Sequence, residues 1–116
     1  MSEGAAQRIF ILDEVVVKPG LARAFNDIYR DEYMPAARRR DMEPEGAWHS
    51  PPGFLPDEIA VTFYYLWSVD GVAGWWKMRL SRTADGGDER FEKLGWWQKV
   101  EEMIVERKRV MLTRAE

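Results

Sequence analysis

A four-stranded antiparallel sheet with helices packed on one face, an α+β sandwich, is the architecture the sequence predicts on three observations. Residues 58–69 (EIAVTFYYLWSV) are apolar at odd and even positions alike, the mark of a strand covered on both faces. Leu21, Ala24, Phe25, Ile28 and Tyr29 follow the i, i+3, i+4, i+7 spacing of one helix face. Read along the chain, the elements run β-α-β-β-α-(α)-β, an order that places the helices together on one side of the sheet.

Each element has a local reason. Residues 8–17 (RIFILDEVVV) are rich in β-branched side chains and end at Lys18-Pro19-Gly20, where proline cannot extend a ladder and glycine permits a turn. The helix that follows is expected to end or kink near Met34, because Pro35 lacks an amide donor and crowds the preceding turn; the rest, to Arg40, reads as a second helical piece. Residues 41–46 hold Pro44 and Gly46, poor helix material, and lead into a short strand at 47–50 (AWHS) closed by Pro51-Pro52-Gly53. After the strand at 58–69, Asp70 can cap a helix from about Gly71 to Arg82. Asp85-Gly86-Gly87-Asp88 is a turn, and a helix over 88–103 places Phe91, Leu94, Trp97 and Val100 on one side. A last strand covers 107–114. There is no internal repeat and no low-complexity stretch.

The 116 residues suit one domain, 1–116, with its core over about 8–114. A hydrophobic fraction of 46% with 32% charged residues describes a globular chain. Seventeen basic against 20 acidic residues leave a net charge of −3, and Arg38-Arg39-Arg40 is the one basic cluster of the first half, so a nucleic-acid partner is not expected. No apolar run reaches the roughly 18–20 residues of a membrane span, and the first residues lack the order of a signal peptide, so a cytoplasmic location without membrane contact is expected. With no cysteine and one histidine, disulfides, zinc knuckles, iron–sulfur clusters and thiol nucleophiles are excluded. Phosphate loops, GxSxG elbows, HExxH and EF-hand loops are missing too, so no metal and no cofactor is expected.

Helices on one side leave the other face of the sheet apolar and open. A second copy of the chain, sheet against sheet, is the simplest cover, which predicts a homodimer. Lys18-Pro19-Gly20 between the first strand and first helix, Gly46-Ala47-Trp48-His49-Ser50 with Gly53 following, and Trp67-Ser68-Val69-Asp70 closing the third strand carry a resemblance. Over residues 8–114 the chain resembles the dimeric α/β-barrel superfamily and, within it, NIPSNAP-like proteins. The resemblance implies a ferredoxin-like sheet that pairs with a second copy as a barrel, with a pocket between sheet and helices or within the barrel. NIPSNAP-like chains often carry an arginine and a tyrosine in the first strand, at positions held here by Asp13 and Val15. Proteins similar in this fold include cofactor-free monooxygenases, isomerases, polyketide cyclases, haem-degrading enzymes and proteins without known activity, so function has to come from the site.

Two residues are candidate bases. His49 titrates near neutrality without tuning, though a strand-end histidine bonded to backbone fits its position before Pro51 equally. Asp13 lies with Glu14 inside an apolar strand, where burial would raise a carboxylate toward a useful range; the alternative is an ion pair with Arg107 or Arg109 of the last strand. Aromatic residues make 13% of the chain. Tyr29 and Tyr33 sit one turn apart, and Trp48, Tyr64, Tyr65, Trp67 and Trp75 add rings able to stack on a flat ligand or simply to fill the core. In Trp75-Trp76 and Trp96-Trp97, one ring of each pair is expected inward and the other toward a partner or a cavity lip. Arg79 and Arg82 can receive an anionic group or remain in solvent. Together these predict a cofactor-independent enzyme of proton transfer (isomerase, cyclase or lyase) acting on a hydrophobic aromatic or polycyclic carbonyl compound, with His49 or Asp13 as base. The alternatives are a cofactor-free monooxygenase of phenols and a non-catalytic small-molecule-binding or interaction protein.

Overall fold

The computed structural model of the chain describes residues 7–52, 59–84 (side chains through Lys77) and 96–115. Strand β1 (Ile9–Val17) ends in a turn in which Leu21 N–H donates to Lys18 O at 3.1 Å. Pro19 at the second position and Gly20 at the third, with φ of 85°, are what such a turn requires, since only glycine takes that φ without strain.

Helix α1 (Ala22–Ile28) runs into a π turn (Tyr29–Tyr33) and then α2 (Met34–Arg39). The expected break at Pro35 is therefore resolved differently: the helix neither stops nor splits but widens. An α-helical proline would leave one carbonyl without a donor and press its ring on that carbonyl, and a π turn just upstream moves the carbonyl out of the way. The widened turn stacks Tyr29 and Tyr33 with ring centres 4.8 Å apart. Helix α2 ends in paired bonds, Met42 N–H to Ala37 O and Asp41 N–H to Arg38 O, with Asp41 at φ 64° in the position usually given to glycine.

Strand β2 (Glu43–Ser50) begins four residues before the predicted strand and includes Pro44 and Gly46. Both are tolerated because β2 is an edge strand, where an amide may be missing from the ladder, and its pairing shifts register between Pro44 and Gly46. Strand β3 (Val61–Val69) and helix α3 (Gly71–Ala84) follow. Residues 53–58 and 85–95 lie outside the described residues, and with them the Asp85–Asp88 turn and the first half of the predicted 88–103 helix. The described end of that segment is helical over 96–99, as expected, and closes in a short 3₁₀ turn (Glu101–Met103) that leads into strand β4 (Ile104–Leu112), three residues earlier than the charged run suggested. Pairing to β1 makes the strand here, not side-chain propensity.

The sheet order is β2-β3-β1-β4 with every pair antiparallel, so each βαβ unit is split by the strand inserted between its ends. This is the predicted α+β, ferredoxin-like arrangement. On the helix side lie Ile11, Val15 and Val17 of β1 and Val61, Phe63, Tyr65, Trp67 and Val69 of β3, all buried beneath Phe25, Tyr29, Tyr33 and Ala37. The other face carries Phe10, Leu12, Val16, Tyr64, Leu66 and Val110, brought together by the pairs Leu12–Leu66 and Leu12–Val110. Among the described residues, no helix is long and apolar enough to cross a membrane.

Candidate functional site

A cavity of about 330 Å³ opens between the helix layer and the β2 edge of the sheet. Its walls are Tyr29 from the π turn, Met34 from α2, Tyr65 and Trp67 from β3, and the bulged stretch Pro44-Glu45-Gly46-Ala47 of β2. Each wall has a local cause. The π turn and Pro35 set where Tyr29 and Met34 face the sheet. Strand alternation puts Tyr65 and Trp67 on the helix side, and the register shift in β2 pulls the edge strand away from full cover.

The rings are held rigidly. Tyr29 and Tyr65 stack at 3.7 Å with planes 9° apart, and the Trp67 indole N–H donates to the Tyr29 hydroxyl at 2.8 Å. The Tyr65 hydroxyl donates to Asn26 Oδ1 at 3.0 Å. Burial pushes both phenols well above their ordinary pKa, with Tyr33 and Asp13 adding to the effect on Tyr29 and Asp13 to that on Tyr65, so both stay neutral hydrogen-bond partners.

Behind the tyrosines lies an ion pair. Asp13 is 0% exposed, and Arg109 holds it through Nε at 2.7 Å and Nη2 at 2.9 Å, while Nη2 also donates to the Tyr33 hydroxyl at 3.0 Å. Burial disfavours the Arg109 charge, but the hydrogen bonds to Asp13 and Tyr33 outweigh it and hold the guanidinium above its ordinary pKa. Next to it, Arg107 lies over the Trp97 ring at 3.9 Å, its pKa lowered by burial and by Arg109. Asp13 thus makes the ion pair with Arg109 that was the alternative foreseen for it.

His49 also has a structural setting. It is half-buried at the end of β2, its Nδ1 is 3.0 Å from Pro51 O, and its ring meets Phe63 edge-on at 5.8 Å. It is absent from the cavity wall, as is Asp13. Of the predicted binding residues, Tyr29, Tyr65 and Trp67 come together there, and Tyr33 stacks directly behind. Trp48 and Tyr64 do not join them: they pair across β2 and β3 on the opposite face, with Trp48 56% exposed. The alternation of the strand separates Tyr64 from Tyr65, so adjacent rings could not share one pocket. Trp75 is half-buried at the start of α3, edge-on to Trp76 at 4.9 Å. The side chains of Arg79 and Arg82 lie outside the described residues. Trp96 and Trp97 do not divide between inside and outside as expected; both pack on the core, and the Trp96 indole N–H reaches Glu32 at 3.1 Å.

Sequence reasoning missed Met34, Pro44, Glu45 and Gly46. Pro44 and Gly46 argued against regular structure, and only pairing with β3 brings the segment to the cavity. Among the described residues, no group of three or more His, Cys, Asp or Glu side chains is placed to hold a metal ion.

No family model matches the chain, and no curated protein matches it. Solved structures do. A NIPSNAP family protein of unknown function from Agrobacterium tumefaciens superposes with a TM-score of 0.66 at 17% identity, covering 94% of this chain and 89% of the other. A second NIPSNAP family protein from the same bacterium gives 0.65 at 11% identity over 94% and 87%. An uncharacterized NIPSNAP domain protein from Burkholderia xenovorans gives 0.66 at 16% identity over 92% and 94%. These neighbours correct the expectation of a proton-transfer enzyme: they are NIPSNAP proteins to which no reaction is attached, and they fit the non-catalytic alternative better than an enzyme. The fold of this chain is thus the one found in NIPSNAP family proteins, as Lys18-Pro19-Gly20 and the motifs of the second and third strands indicated.

Proposed function

We propose that the protein is a non-catalytic small-molecule-binding protein that holds a hydrophobic ligand in the cavity between its helices and the β2 edge. One observation supports this reading above others: the cavity walls join the stacked Tyr29–Tyr65 pair and Trp67 to an edge strand bulged away from them. A volume of about 330 Å³ falls within the roughly 300–1,000 Å³ of small-molecule sites. The rings are fixed by hydrogen bonds to one another and to Asn26, so little ordering is left to be done on binding. We also propose that a second copy covers the open face around Phe10, Leu12 and Leu66, with Leu112 still 41% exposed in one protomer.

The test is native mass spectrometry of the natural chain against Ala47→Trp, whose new ring would fill the cavity from the exposed β2 side. A small-molecule adduct, or uptake of aromatic fragments from a screen, is expected for the natural chain and not for the variant. Equal uptake by both, or uptake by neither, would overturn the binding reading.

A further inference from the structure

Strand β4 forms the sheet edge opposite the cavity, and among the described residues only one of its two helix-side arginines meets a carboxylate. Arg107 and Arg109 are alternate residues of the strand, in register with Val15 and Asp13, so both stand on the helix side, roughly 7 Å apart along the backbone. Asp13 is spent on Arg109, which takes both of its oxygens and gives a further Nη2 hydrogen to Tyr33. That leaves Arg109 Nη1 without a partner among the described residues, on a side chain that is 21% exposed. Glu32, the carboxylate beside Trp96, is taken by Lys99 at 2.8 Å and by the Trp96 indole N–H.

Arg107 makes no ion pair and no side-chain hydrogen bond among the described residues. Its position is fixed all the same. The guanidinium carbon lies 3.9 Å from the centre of the Trp97 ring, which packs on Tyr33 with ring centres 5.4 Å apart. A guanidinium that close meets the ring with its face, and its N–H donors, which lie in its own plane, stay available. The cation is held beside a second cation and partly stripped of water, so that burial and Arg109 both act against its charge.

We propose that Arg107 and Arg109 Nη1 form a binding site for an oxyanion, the carboxylate or phosphate group of a small molecule, on the Trp97 side of β4. The site is separate from the cavity and does not depend on the binding role proposed for it. A bound oxyanion pairs with the in-plane donors of Arg107 and offsets the repulsion between the two arginines. A cationic ligand would meet two like charges, and a neutral one would leave the excess charge in place.

The full chain is titrated with sodium phosphate and with sodium acetate, each against sodium chloride at equal ionic strength, and followed by NMR at the Trp97 indole N–H and the Arg109 Nε–H. At least one oxyanion is expected to move both signals saturably at millimolar concentration, whereas chloride does not; the anion that saturates first identifies the group as phosphoryl or carboxylate. Arg107→Gln, at an exposed position with no partner to strand, should fold normally and weaken binding at least about tenfold. Lys108→Gln removes the same charge from the opposite face of the strand and should leave binding unchanged. Equal weakening in the two variants would reduce the effect to general attraction by a basic strand and overturn the site. Unaltered binding by Arg107→Gln, or saturation by neither oxyanion, would overturn it as well.

Discussion

The two faces of the sheet are built from the same strands yet differ in what covers them. Ile11 and Leu12 are neighbours on β1. Ile11 is 0% exposed beneath the helices, whereas Leu12 lies between Leu66 and Val110 on the face that carries no helix among the described residues and is half-buried. The helix side also encloses a charge, Asp13, and three tyrosines; the open side is apolar around Leu12, with Tyr64, Ser68, Glu14, Lys108 and Glu106 sharing its register. A face closed within the protomer can hold polar groups, because their partners are placed by the same chain. An open apolar face has its remaining area to gain from another surface.

The largest effect should come from putting the same charge on each face. Ile11→Lys places an unpaired ammonium in the closed core, where the cost of more than about 4 kcal/mol approaches the whole stability of a small domain; circular dichroism should show little folded protein. Leu12→Lys should keep the native spectrum and instead lower the mass seen by sedimentation from dimer to monomer. A variant that folds and still sediments unchanged would remove the dimer proposed here.

A smaller effect is expected from opening the ion pair. Arg109→Ala strands Asp13, which has no route to water, and should cost about 3–5 kcal/mol in urea unfolding. Asp13→Ala should cost less, because the Arg109 side chain is 21% exposed and can turn toward solvent. Equal losses would mean that the two groups are enclosed alike.

The smallest effect concerns the phenols and appears only in alkali. The folded state raises the pKa of Tyr29 and Tyr65, so it holds their protons more tightly than the unfolded chain does. Their contribution is fully present below the unfolded phenol pKa of about 10 and is lost as the pH rises above it. Tyr65→Phe should therefore move the alkaline unfolding midpoint upward, while losing about 1 kcal/mol at neutral pH with the bond to Asn26. An unchanged alkaline midpoint would show that Tyr65 ionisation does not limit the fold.

Local patterns made most of the fold legible. The β-branched run of β1, the Lys18-Pro19-Gly20 turn and the doubly apolar β3 each state their structure in a few residues. They failed where pairing overrode propensity. β2 passes through Pro44 and Gly46, and β4 starts three residues before the strand expected at 107, because an edge strand needs only half of its backbone groups paired. The site was legible in part: Tyr29, Tyr65 and Trp67 stood out as aromatic, but nothing marked the stretch from Pro44 to Gly46 that completes the wall.

The sequence by itself determined that the chain is an α+β domain with one apolar sheet face to spare, since spacing and alternation are properties of neighbouring residues. Only the tertiary structure decided that Asp13 is gripped by Arg109, 96 residues away, that Tyr64 and Tyr65 face opposite sides, and that the widened helix at Tyr29 meets the bulged edge at Glu45. Those outcomes depend on which strands pair and in what register, and a contact between distant residues leaves no periodic trace in the chain.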